Sequence, residues 1–68
     1  MNLKEAGFKG VRAAVGEGMG LAVGTLTGGE AVVVARTPKG EGYTIYTTAH
    51  EALVAFESIA ARANLQKV

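Results

Sequence analysis

Apolar side chains recur every three or four residues through the last third of the chain, from residue 48 to residue 63. This spacing places them along one side of an α-helix. Thr48 followed by Glu51 forms a capping box, in which the hydroxyl accepts a backbone N–H of the first turn. The pattern predicts an amphipathic helix with Phe56 at the centre of the core. The apolar stripe consists of Ala49, Ala52, Leu53, Phe56, Ile59, Ala60 and Ala63.

Three strand-like segments precede this helix. The segments 21–27 and 30–37 are rich in β-branched residues, and only Gly28-Gly29 separates them. Tight hairpin turns need positive φ, which glycine adopts without steric cost, so this pattern predicts a two-residue antiparallel hairpin. A turn at 37–42, with its proline and two glycines, leads to the alternating segment 42–47. The three segments predict an antiparallel meander with the helix packed on one face.

The segment 1–15 is compatible with two structures. Leu3, Phe8, Val11 and Val15 have roughly helical spacing, although a glycine inside a helix costs about 1 kcal/mol relative to alanine. The alternative is a strand from residue 8 to residue 15, in which Gly10 marks a bulge or a close backbone approach. We favour a short helix, which gives the order α-β-β-β-α in a small two-layer α+β domain. The strand would make the sheet four-stranded.

The chain has 68 residues, enough for a single domain over 1–68. A domain of this size buries only about 60% of the surface that the unfolded chain exposes. Cysteine is absent, which excludes disulfide bonds, while 49% of the residues are hydrophobic. Self-association is therefore the expected source of additional stability. The absence of a signal-like or membrane-spanning apolar run predicts a cytoplasmic protein without a membrane segment.

Few side chains could carry out catalysis. His50 is the only histidine, all six acidic residues are glutamates, and the net charge is +1. Glu57 lies two helical turns after His50, but two ligands without a third make a poor metal site. The glycines of 16–20 lack the spacing of a phosphate-binding loop. We predict no enzymatic activity, no metal and no cofactor.

Nucleic-acid binding is the alternative function. The order α-β-β-β-α is similar to that of double-stranded-RNA-binding domains, and this resemblance implies a lysine-bearing last helix that contacts duplex RNA. The corresponding place here reads Thr48-Ala49-His50-Glu51, without lysine. Strand, strand, strand, helix is also similar to small antitoxin-like and phage-encoded accessory domains. The candidate nucleic-acid contacts are the basic residues of the N-terminal segment and of the second turn: Lys4, Lys9, Arg12, Arg36 and Lys39.

The side of the helix opposite Phe56 carries small and apolar residues where a monomer would normally place charges. Val54, Ser58, Ala61 and Leu65 fall within a narrow arc at about 100° per residue. Small residues at this spacing allow a second helix to approach closely, as in a two-fold dimer. We therefore predict a non-enzymatic, self-associating module that binds a protein partner as an accessory, inhibitor or adaptor.

Overall fold

The computed structural model describes residues 5–68 and shows a five-stranded antiparallel sheet with one helix packed on one face. The elements are β1 (Lys9–Gly16), β2 (Met19–Thr25), β3 (Ala31–Thr37), β4 (Gly40–Tyr46), α1 (Ala49–Arg62) and β5 (Gln66–Lys67). The strand order across the sheet is β4-β3-β2-β1-β5. The predicted α+β class is confirmed, but the described chain contains five strands and no N-terminal helix.

Strand β1 replaces the predicted N-terminal helix, and glycine is the reason. The register of β1 on β2 shifts between Gly10 and Arg12, which is the bulge that the alternative interpretation placed at Gly10. Opposite Gly10 lies Gly24, where an added Cβ would clash with the Lys9 carbonyl and lie 2.9 Å from the Gly10 Cα. Two glycines thus allow two backbones to approach closely. Residues 1–4, which include Leu3 and Lys4 of the helical prediction, lie outside the described residues.

The turn between β2 and β3 has three residues, so the predicted two-residue hairpin is wrong. The Leu26 N–H donates to the Glu30 carbonyl, and the Gly29 N–H donates to the Leu26 carbonyl, both at 2.9 Å. Only Gly29, at φ 91°, needs the left-handed region. This geometry matches the three-residue hairpin that ends in a glycine bulge. A two-residue turn lies instead between β3 and β4, at residues 38–39, because Thr37 pairs with Gly40. Strand β4 therefore begins earlier than predicted.

Both ends of α1 are fixed by local hydrogen bonds. The Thr48 hydroxyl accepts the Glu51 N–H at 3.1 Å and donates to the Glu51 carboxylate, which confirms the predicted cap. At the other end Asn64 has φ 56°, and the Leu65 N–H donates to the Ala60 carbonyl at 2.9 Å. The chain therefore reverses and continues into β5, which pairs with β1.

The main core lies between α1 and the sheet. Phe56 is fully buried there, as predicted, and it is the largest fully buried side chain of the described residues. Ala52 and Ala60 flank it on the helix, while Leu21 and Val33 contribute from the sheet. A smaller cluster occupies the opposite face of the sheet and consists of Leu26, Val32 and Val34, packed against Ala6 and Phe8. The helix thus covers one face, and the segment before β1 covers part of the other.

Candidate interaction surface

The face of the sheet opposite α1, which we call the open face, is only partly covered. Successive side chains of a strand alternate between faces, so Val32, Val34 and Arg36 of β3 point away from the helix. Phe8 packs over part of this face. The large apolar side chains that remain exposed on it are Val15 (53% exposed), Tyr43 (40%) and Ile45 (47%).

A shallow groove of about 520 Å³ crosses the open face. Its apolar walls end at Arg36 and Glu41, whose side chains lie 3.6 Å apart in an exposed ion pair. An exposed pair of this kind contributes about 0 to 1 kcal/mol to folding, so either charge is available to orient a partner. The groove can therefore accept apolar side chains beside one polar contact. It is lined by Phe8, Val15, Gly20, Leu21, Ala22, Val34, Arg36 and Glu41.

The two edges of the sheet differ. Strand β4 has one neighbour, β3, and every residue from Gly40 to Ile45 is exposed. The opposite edge ends in β5, which has only two residues, and the neighbouring strand β1 carries a bulge. Short strands and bulges are devices that prevent a sheet edge from pairing with another chain. Strand β4 carries neither, which leaves a seven-residue edge able to pair.

The predicted row of Val54, Ser58, Ala61 and Leu65, which we call the helix ridge, is only partly continuous. Val54 is 55% exposed, and Ser58 and Ala61 are exposed on the same side of α1. Leu65 lies beyond the end of the helix and packs against the main core. The ridge therefore consists of three residues rather than four, because the chain reverses at Asn64.

The predicted nucleic-acid contacts that the structure describes do not form one surface. Lys9 begins β1 beside the end of β2, whereas Arg36 and Lys39 lie at the opposite end of the sheet. Arg12 lies on the helix side, 3.9 Å from Glu57, and Arg36 lies on the open face beside Glu41. Lys4 is outside the described residues. The order β-β-β-β-α-β also differs from the order on which the resemblance to RNA-binding domains rested.

The catalytic residue types are equally dispersed. His50 is exposed in the first turn of α1, while Glu57 binds Lys67 at 2.5 Å. Within residues 5–68, no group of three potential metal-binding side chains is present. The same range contains no helix with the length and apolarity needed to cross a membrane.

The helical spacing of the sequence predicts an interface on the helix ridge, but no interface is predicted from the sequence for the open face. One observation could have identified it, since β3 is apolar on both of its faces. A single helix covers only one face of a sheet, so the other face needs a separate cover.

No family model, curated protein or solved structure matches this chain. The geometry of these surfaces therefore carries the functional argument.

Proposed function

We propose that this chain is a small, non-enzymatic interaction module that self-associates and binds a protein partner as an accessory, inhibitor or adaptor. The observation that carries the proposal is the open face, where Val15 lines an apolar groove. Tyr43 and Ile45 lie on the same face outside the groove, and all three side chains are about half exposed. Apolar surface that remains in water offers about 25 cal/mol per Å² when a partner covers it. Contiguous exposed apolar patches on small proteins mark interaction surfaces.

The dimensions of the fold support self-association. The described residues measure 31 × 24 × 17 Å, which corresponds to one helical layer on one sheet. A sandwich of two layers with this chain length has a small core, and oligomerisation is a common way to add buried surface. The dispersed basic residues give no comparable support to nucleic-acid binding.

Sedimentation equilibrium over about a 100-fold range of protein concentration tests self-association. We expect the mass to rise to that of a dimer and the melting temperature to rise with concentration, because association stabilises the folded state. A species with the mass of a single chain at every concentration, with a constant melting temperature, would overturn the proposal of self-association. Titration with labelled DNA and RNA duplexes at low salt is the companion experiment, and we expect no saturable binding.

The proposal of a protein partner is tested by position-specific photocrosslinking in the host cell. A photoreactive amino acid at Val15 samples the open face, and the same amino acid at Val54 samples the outer side of α1 with nearly equal exposure. We expect a discrete adduct with a second protein only from position 15. Adducts of equal yield from both positions, or none from position 15, would contradict the assignment of the open face.

A further inference from the structure

We propose that two copies of this chain associate through β4, which pairs antiparallel with β4 of the second copy to form one continuous ten-stranded sheet. This inference rests on the proposed self-association and specifies its geometry. The occupant of the edge is a second copy because antiparallel pairing of β4 with β4 places favourable side-chain pairs opposite each other.

One hydrogen bond in the β2–β3 turn indicates which backbone groups of β4 are free. The Leu26 N–H donates to the Glu30 carbonyl, so these two residues form a hydrogen-bonded pair. Such pairs recur at every second residue of an antiparallel ladder, so Val32 and Val34 bond to β2, and Val33 bonds to β4 at Thr44. The even-numbered residues of β4 therefore face β3. The N–H and C=O groups of Glu41, Tyr43 and Ile45 face the open edge.

The side chains of β4 select one register for a two-fold pair. When Thr44 lies opposite Thr44 of the second copy, Tyr43 lies opposite Ile45, and Gly42 lies opposite Tyr46. Aromatic and β-branched residues form favourable cross-strand pairs, each contributing about 0.2 to 1 kcal/mol. An aromatic side chain opposite an edge glycine covers exposed backbone. Centring the pair on Tyr43 instead would place Glu41 opposite Ile45.

In the Thr44-centred register the odd-numbered residues pair with each other across the seam. Tyr43 and Ile45 therefore exchange backbone hydrogen bonds on both sides of the two-fold axis, and their side chains lie on the open face of each copy. The two Glu41 carboxylates move to opposite ends of the seam, so like charges do not meet.

The assembly closes at two copies because each sheet has one edge able to pair. The other edge ends in β5, where Gln66 and Lys67 form only two pairs with β1. A two-residue strand with a lysine is a poor template for further pairing. Isologous pairing covers the remaining edge, β4, in both copies, so the assembly is a dimer and not a filament.

Removing one outward N–H tests the seam. Tyr43→Pro deletes a backbone donor on the open edge, and it leaves the β3–β4 hydrogen bonds in place because the Tyr43 N–H does not face β3. Tyr43→Thr is the matched control, since it loses the aromatic ring but keeps the N–H. We expect dimerisation to weaken by about 100-fold or more in the proline variant, because hydrogen bonds and register are lost together. The threonine variant should weaken it by less than about 10-fold.

A crosslinking experiment reports the register even if the proline variant fails to fold. The chain has no cysteine, so single substitutions give unambiguous disulfides. We expect Thr44→Cys to form an intermolecular disulfide at least about 10-fold faster than Tyr43→Cys, because only residue 44 lies opposite its own copy. Ser58→Cys, on the outer side of α1, is the control for the helix ridge.

The outcomes separate this inference from the proposed function. A wild-type dimer in which Ser58→Cys crosslinks faster than Thr44→Cys, or that persists in Tyr43→Pro, retains self-association and overturns the β4 seam. A wild type that is monomeric at all concentrations overturns both. Loss of the dimer in Tyr43→Pro together with rapid crosslinking of Thr44→Cys supports both.

Discussion

A methyl group added at Gly24 is expected to detach the start of β1 from the sheet. Gly24 lies in β2 opposite Gly10, and a Cβ there would clash with the Lys9 carbonyl oxygen and lie 2.8 Å from its carbon. Ordinary van der Waals contact begins at 3.4 Å, and both obstacles are backbone atoms. The strand must therefore move, because no side chain can rotate away.

The magnitude for Gly24→Ala follows from what this movement breaks. Each backbone hydrogen bond lost at this end of β1 costs about 1 kcal/mol. Backbone displacement by an overpacked methyl group adds about 1 to 3 kcal/mol. We expect unfolding free energy to fall by about 2 to 4 kcal/mol. For a domain of this size, each kcal/mol corresponds to about 4 to 8 °C in melting temperature.

Gly20→Ala is the matched control, because Gly20 lies in the same strand and faces the same side of the sheet. A Cβ at Gly20 meets no atom within 4 Å. Since φ at Gly20 is not positive, alanine fits there and should stabilise by about 0.4 to 1 kcal/mol through the unfolded state. Urea denaturation followed by circular dichroism measures both variants at one protein concentration. Equal stability of the two variants would refute the close approach of β1 and β2.

Two further predictions concern the core and the β2–β3 turn. Phe56→Ala should lower the unfolding free energy by about 3 to 5 kcal/mol, because Phe56 is fully buried; a cooperative thermal transition with little loss of stability would contradict this. Gly29→Ala should destabilise by about 1 kcal/mol, because Gly29 has φ 91°. Gly28→Ala, which meets only the side chain of Glu30, should cost less, and urea midpoints that rank these two glycines in reverse would contradict the three-residue turn.

Features that depend on neighbours in the sequence were predictable. The cap at Thr48 and the helical spacing around Phe56 are local, so the sequence predicts a helix over 48–63, and the structure places it at Ala49–Arg62. The strands around residues 21–37 follow equally from β-branched composition. Their turn was mispredicted because both arrangements use a glycine, and only the hydrogen bond from Leu26 to Glu30 distinguishes them.

Features that depend on distant pairs were not predictable in the same way. Gly10 disfavours a helix, but its use in a strand depends on Gly24, which lies in a different segment. Leu65 continues the helical spacing, yet it leaves the helix because Asn64 adopts positive φ. The open face could be anticipated from the two apolar faces of β3, whereas the unpaired edge of β4 follows only from the strand order.

The strand order also determines how this chain folds. Strands β1 to β4 pair with their neighbours in the chain, so each hairpin closes a short loop at a low entropic cost. The pairing of Ala14 with Lys67 joins two segments separated by most of the chain. It stabilises the fold only after both segments are in place. Folding should therefore begin in the hairpins of β1 to β4, and helix docking and β5 pairing should follow. Substitutions in those hairpins should then slow folding, while substitutions in β5 should mainly speed unfolding.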